Sequence, residues 1–143
     1  LLTSLGATSV LGRAPLNEPT DRPLLKSAHG SAIDTVGGTT LENLIKGTTI
    51  GGAVAACGLV GGADLNLTVH PFILRGVALL GVDSQHLPMA AREDLWSSLA
   101  GSDAVRRAVA LPGLVTEVGL DELEQQIQLI LAGGVMGRVV VKL

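Results

Sequence analysis

The sequence predicts an α/β fold with a mostly parallel sheet, on three observations. The first is Gly51-Gly52-Ala53-Val54-Ala55-Ala56-Cys57-Gly58-Leu59-Val60-Gly61-Gly62, a small-residue apolar run bracketed by glycine pairs. Such a run reads as a strand buried on both faces. The glycines past its end let the backbone turn sharply or approach a flat ligand closely. The second is the alternation of apolar strand-like segments with stretches of helical periodicity. The third is composition: 47% hydrophobic against 16% charged residues, the balance that buried parallel strands produce. In open α/β sheets ligands sit beyond the carboxyl ends of the strands, so the end of this glycine-bounded run is a candidate ligand edge.

A chain of 143 residues suits about one domain with its own core. Glycine, proline or charge interrupts every apolar run well short of the ~18 residues a membrane span requires, and no membrane partner is expected. The net charge of −3 and the absence of a basic stripe argue against nucleic acid. Phe72 and Trp96 are the only aromatic residues, so platforms for stacking bases are lacking. The single cysteine, Cys57, leaves no internal disulfide. With no charged-then-apolar leader pattern in the first residues, a cytoplasmic location is expected. Leu1-Leu2-Thr3-Ser4-Leu5-Gly6 resembles a last helical turn closed by glycine, so the chain is expected to start in mid-element.

Taken in order, residues 7–11 read as a short strand. Residues 12–22 carry Pro15, Pro19 and charges and read as a loop. Residues 23–28 read as one or two helical turns. Residues 31–36 form a strand ending at Gly37-Gly38. Thr39 or Thr40 then caps a helix, Thr39-x-x-Glu42 having the capping-box spacing. Leu41, Leu44 and Ile45 make that helix's buried stripe. Gly51-Gly52 ends the unit and the next strand follows, completing a parallel crossover. After a proline-containing stretch, 77–84 is another apolar strand. Pro88 opens a helix with Leu95, Trp96 and Leu99 on one face. A further helix is expected around 104–110 and an extended segment over 115–119. Asp121-x-x-Glu124 starts the clearest helix, with Leu123, Ile127, Ile130 and Leu131 in register and Gly133-Gly134 at its end. Residues 138–143 close the chain as a strand.

A doubly wound nucleotide-binding sheet is the leading version of this fold. Its phosphate fingerprint, G-x-G-x-x-G after a first strand, does not occur, nor does a P-loop, so only the second half of such a sheet is expected. Among single residues, Leu59 by itself reads as core packing. Ser84 reads as a strand-end turn residue or as a group facing a ligand. Asp34 reads as a hydrogen-bonded structural carboxylate or as a general base. Cys57, with no basic neighbour in sequence, reads as a buried inert thiol. His29, His70 and His86 match no metal spacing, and no metal site is expected. Arg138 reads as a surface or bridging group, or one that reaches a phosphate. The strand over 77–82 ends the sheet and leaves an edge that something must cover or pair.

Six motifs follow in order: Ser4-Leu5-Gly6-Ala7, Ala32-Ile33-Asp34-Thr35-Val36-Gly37, Ala55-Ala56-Cys57-Gly58-Leu59, Pro71-Phe72-Ile73-Leu74-Arg75, Leu80-Gly81-Val82-Asp83-Ser84 and Gly137-Arg138-Val139-Val140-Val141-Lys142. Over nearly the whole chain this resembles the carboxyl-terminal part of the zinc-free medium-chain dehydrogenases/reductases, in the quinone oxidoreductase-like, acrylyl-CoA reductase subgroup. The resemblance implies the second half of a Rossmann-type doubly wound sheet over 1–99, and over 100–143 the helix and strand that return to the catalytic domain. It implies hydride transfer from NADPH to an activated double bond or a quinone, with the phosphate loop and catalytic body outside this stretch and the catalytic residues unknown. It places Leu59, Ile73 and Ser84 against the nicotinamide half, with Val36, Gly37 and Gly58 close to the dinucleotide. It also implies a homodimer through the strand over 77–82. Two other readings stand beside it: a non-catalytic cofactor-binding or dimerisation module, and an unrelated regulatory α/β domain with a small ligand.

Overall fold

The structure, a computed structural model, describes Leu1–Leu143. It divides into two compact units, Leu11–Leu87 and Leu1–Val10 together with Pro88–Leu143.

In the unit Leu11–Leu87, a single helical turn, α1 (Ala14–Asn17), precedes β1 (His29–Asp34), α2 (Gly38–Gly47), β2 (Thr48–Ala56), α3 (His70–Arg75) and β3 (Ala78–Gly81). The strands form one sheet in the order β1-β2-β3, parallel throughout. The register places Ala32, Val54 and Leu79 in one row across the sheet. That row faces the core, where Leu41 and Ile45 of α2 pack with Val54 and Val77, and Phe72 of α3 packs against them. The helical stripe expected at Leu41, Leu44 and Ile45 is therefore the covering layer. The next row, Ile33, Ala55 and Leu80, looks the other way, with Ile33 78% and Leu80 53% exposed. The expectation that the glycine-bounded strand is buried on both faces is corrected: helices cover one face only, so only Thr48 and Val54 of β2 are buried.

The glycine pair at its start is also placed differently. Gly51-Gly52 lies inside β2, not before it. His29 pairs with Thr48 and Ser31 with Ala53, so β2 carries three extra residues between matched pairs and bulges there.

The α2 helix starts without the expected Thr39–Glu42 capping box. Its N-cap is Gly37, and no side chain caps it. Glu42 instead accepts the Asn66 N–H at 2.9 Å and faces Lys46 at 3.8 Å. The polar face of α2 holds the preceding segment. Thr40 Oγ1 donates to Asn17 Oδ1 (2.6 Å), Asn43 Nδ2 to the Leu16 and Glu18 carbonyls (3.0 and 2.9 Å), and Lys46 Nζ to the Thr20 carbonyl (2.8 Å). Three-residue spacing puts these donors on one face of the helix. Within this tied segment lies α1, a turn where a loop was expected, with Pro15 at its start. The helical turns expected over 23–28 do not form. There the Leu25 and Ala28 N–H groups donate to the Lys46 and Gly47 carbonyls (both 2.9 Å), so that backbone bonds the end of α2, not itself. Arg75 completes this junction, donating to the carbonyls of Lys46 (3.0 Å), Thr48 (2.9 Å) and Leu25 (2.7 Å).

In the other unit, Leu1 to Ala7 end a helical turn as expected. The Ala7 N–H donates to the Leu2 carbonyl and the Gly6 N–H to the Thr3 carbonyl (both 3.0 Å), with Gly6 at φ 101°. This is the Schellman pattern. Residues 7–11 form no strand, because no neighbouring strand takes up their hydrogen bonds. The long helix α4 (Met89–Gly101) follows Pro88, and α5 (Asp103–Val109) starts at Ser102, whose Oγ accepts the Val105 N–H at 3.4 Å. The strand β4 (Val115–Gly119) leads through a 3₁₀ turn (Leu120–Glu122) and α6 (Leu123–Leu131) to β5 (Arg138–Lys142), which pairs with β4 in parallel. Gly133 and Gly134 close α6 with a second Schellman pair, onto the Ile130 and Leu129 carbonyls (both 2.9 Å).

Candidate functional site

The carboxyl ends of β1 and β2 leave the sheet side by side. Asp34, the last residue of β1, is 1% exposed. Its Oδ2 accepts the Gly37 N–H at 2.8 Å and its Oδ1 the Val36 N–H at 3.2 Å. Both carboxylate oxygens are thereby committed to folding residues 35–37 into a tight turn, the structural alternative for Asp34. The Asp34 carbonyl accepts the Cys57 N–H (2.9 Å) and its thiol (3.3 Å). The Val36 carbonyl accepts the Gly61 N–H at 2.7 Å, and Gly37 bridges to Gly62.

These contacts bring the two loops into backbone-to-backbone approach. Gly37 sits at φ 78° and ψ −166°, a region almost reserved for glycine. A Cβ there would lie 2.5 Å from the Gly62 carbonyl oxygen and 3.0 Å from the Leu59 Cα. A Cβ on Gly58 would collide with the Thr35 carbonyl. The edge is thus made of main chain, with apolar side chains beside it: Leu59 is 68% exposed. Cys57 is exposed too, which corrects the expectation of a buried thiol; it lies where the sheet has no covering layer.

Four of the six cofactor residues expected from sequence, Val36, Gly37, Gly58 and Leu59, therefore come together here. Ser84 follows β3 on the same side. Ala56 pairs with Gly81, and the Val82 N–H donates to the Ala56 carbonyl at 3.0 Å, so the chain leaves β3 at the carboxyl edge. Ile73 is not joined to them. It is exposed on α3, two residues before the Arg75 anchor at the amino end of β2.

The turn residues 35–38 and 57–62 carry no acidic or basic side chain. Such a surface suits the uncharged ring of a cofactor and has nothing to grip its phosphates. Asp83, beside Ser84, is exposed. Its carboxyl is held below the usual carboxylate range, chiefly by the side-chain hydrogen bond from His86 (Nδ1 to Oδ2, 2.7 Å), then by the His86 backbone N–H. Next to Val36 opens a cavity of about 390 Å³ that Arg13 also lines. Sequence reading missed Arg13, which it left inside a loop; no local pattern marks it. No group of three or more His, Cys, Asp or Glu is placed to hold a metal ion. His29 Nε2 lies 3.0 Å from the Leu44 carbonyl and 3.1 Å from Thr48 Oγ1, and His70 Nδ1 lies 2.8 Å from Thr68 Oγ1. No helix is long and apolar enough to cross a membrane.

Parallel α/β sheets with a bare carboxyl edge are the class of fold that takes ligands across that edge. Known proteins narrow the class. No family model matches the chain. It is 41% identical over 140 residues to the acrylyl-CoA reductase AcuI of Ruegeria pomeroyi, covering 98% of this chain and 42% of that protein. Among solved structures it resembles Escherichia coli K-12 YhdH with bound NADPH (39% identity, TM-score 0.83, 99% of this chain, 42% of that one). It also resembles Bacillus subtilis YhfP with NAD bound (38% identity, TM-score 0.86, 99% of this chain, 43% of that one). The chain belongs to this YhfP/AcuI/YhdH group, the quinone oxidoreductase-like medium-chain dehydrogenases/reductases. It spans about 42% of the length of the relatives it matches.

Proposed function

We propose that this chain is the carboxyl-terminal part of an NADPH-dependent oxidoreductase that reduces an activated carbon–carbon double bond, of the acrylyl-CoA type, or a quinone. The observation that carries the reading is the main-chain seam at the carboxyl edge, where Gly37 and Gly58 permit a close approach that side chains would block. The relatives support it, since one is described as an acrylyl-CoA reductase and solved structures of others hold NADPH or NAD.

A bound dinucleotide supplies the hydride; the protein supplies placement and a dry surface. Val36, Gly37 and Gly58 offer backbone against which a flat ring can rest. Leu59 covers it from solvent, and water exclusion strengthens every polar contact inside such a site. Ser84 contributes a polar group from the neighbouring strand end. In this reading 1–99 is a partial nucleotide-binding domain and 100–143 returns to the catalytic domain; the compact units change at Leu87 and Pro88. The protein works in the cytoplasm. β3 is an edge strand, paired on one side only, and a second copy adds to its free side to make a homodimer.

The test is turnover by the full-length protein. NADPH oxidation, followed by loss of nicotinamide absorbance, is expected with acrylyl-CoA, simple enones or quinones. No oxidation with any of the three would contradict the proposal.

A further inference from the structure

We propose that His86, held by Asp83 just past the end of β3, delivers the proton that the α carbon of a double-bond substrate takes up; this rests on the reductase reading above. Gly81 pairs with Ala56, and the Val82 N–H donates to the Ala56 carbonyl at 3.0 Å, so Asp83 follows directly on the last bond of the β2–β3 ladder. Its carboxylate then folds the chain back. Oδ1 accepts the Gln85 N–H at 3.0 Å and the His86 N–H at 3.1 Å, and Oδ2 accepts from His86 Nδ1 at 2.7 Å. The imidazole is thereby kept one hydrogen bond from the strand end, at the same carboxyl edge from which Gly58 and Leu59 leave β2. An ionised carboxylate only accepts, so the proton of the Asp83–His86 bond lies on Nδ1 and the tautomer is fixed. Nε2, across the ring, makes no hydrogen bond within the protein. It is the atom left to exchange a proton with a bound molecule.

The turns at this edge hold no competing donor. Residues 35–38 and 57–62 carry no carboxylate, amine or imidazole. Asp34 has both oxygens on backbone N–H groups, and the Cys57 thiol donates to the Asp34 carbonyl at 3.3 Å. His29 opens β1 at the amino end of the sheet, and His70 starts α3 beside Thr68. Of the three histidines only His86 stands at the carboxyl edge. The step balances as follows. The two electrons arrive with the hydride at the β carbon, and the π pair of the double bond moves onto the α carbon, conjugated with the thioester. The Nε2–H bond of the imidazolium breaks, its proton forms the new C–H bond at the α carbon, and the N–H electron pair stays on Nε2. The neutral ring recovers a proton from water, which reaches it because His86 is exposed. Asp83 is a positioning residue: it holds the ring and its tautomer without touching the substrate.

The experiment is reduction of acrylyl-CoA in heavy water by the full-length protein and by His86→Gln and Asp83→Asn, with the deuterium at the α carbon assigned to one face or to both. The wild type should place it on one face. His86→Gln should place it on both, as protonation passes to solvent, and kcat should fall about 100-fold, the usual share of a positioned acid. Asp83→Asn turns an amide N–H toward Nδ1 and should lower kcat with KM little changed. Both side chains are exposed, so both variants should melt close to the wild type. A second readout needs no turnover: without NADPH, saturating propionyl-CoA, the reduction product, should shift the His86 imidazole proton resonances. Deuterium on a single face in His86→Gln, or on both faces in the wild type, would overturn the assignment, and so would His86 resonances that propionyl-CoA leaves in place. A raised KM at unchanged kcat in Asp83→Asn would overturn the role given to Asp83. An enzyme that reduces acrylyl-CoA identically with and without His86 removes this inference and leaves the functional reading. A wild type that oxidises NADPH with no substrate removes that reading, and this inference with it.

Discussion

Replacing Asp34 by alanine tests whether this carboxylate builds the cofactor edge or performs chemistry. In the structure it is buried and accepts two backbone N–H bonds, at 2.8 Å from Gly37 and 3.2 Å from Val36. Leaving a buried donor without a partner costs about 1–3 kcal/mol. The short bond lies at the upper part of that range and the long one at the lower, so Asp34→Ala should lose about 3 kcal/mol. Asp34→Asn retains one acceptor oxygen and should lose about half as much. Urea unfolding read by circular dichroism measures this, as a lower midpoint at unchanged m-value. Loosening of the turn should also raise the KM for NADPH more than it lowers kcat. The reasoning would be refuted by a stability loss under about 0.5 kcal/mol, the usual effect of a surface substitution. It would equally be refuted if Asp34→Asn abolished turnover while unfolding stayed at the wild-type midpoint, which is the behaviour of a general base.

Other consequences are as direct. Gly37→Ala forces a side chain into a glycine-only conformation facing the Gly62 carbonyl, so about 1–3 kcal/mol of stability should go, with weaker NADPH binding; an unchanged melting temperature would count against the seam. Arg75→Met removes three hydrogen bonds to carbonyls and should cost about 3 kcal/mol by urea unfolding, with KM little affected once folded. The Val82 N–H points to β2, so the Gly81 N–H points away from it; Gly81→Pro should therefore shift the protein toward monomer in sedimentation while leaving the β2–β3 ladder intact, and an unchanged dimer would exclude pairing through β3. Asp83 is held low by His86, so its contribution to stability is present above the ordinary carboxylate pKa and is lost as pH falls below it. In His86→Ala the Asp83 carboxyl, followed by carbon-detected NMR, should titrate at higher pH than in wild type.

Local signals in the chain proved readable where the cause is local. The Leu41, Leu44 and Ile45 stripe and the glycine closures at Gly6 and Gly133 depend on residues within one or two turns, and each is found as expected. What failed depended on distant partners. Thr39 has the capping spacing, yet Asp34, from the preceding strand, organises the turn into α2 while Glu42 is drawn to Asn66. Residues 23–28 have a helical composition, but the free carbonyls at the end of α2 take their N–H groups. A continuous apolar run bounded by glycines marks β2 as a strand, and only the packing of helices on one face decides that Val54 is buried while Ile33 and Leu80 of the opposite row are not. The same holds for the site. Gly58 stands out in the sequence because glycines at a strand end have few uses, while Leu59 by itself reads as core packing and is tied to this edge only by the family resemblance; Arg13 takes its place only when α1, the turn after β1 and the loop after β2 converge on one cavity.

The central claim is that a dinucleotide rests on the seam between the ends of β1 and β2. Amide hydrogen exchange of the full-length protein, with and without saturating NADPH, measures it segment by segment. Peptides covering residues 34–38 and 57–62 should gain protection on binding, while those covering 48–52, at the other end of β2, should not. Binding that protects other segments and leaves both of these turns exchanging as in the free protein would contradict the account.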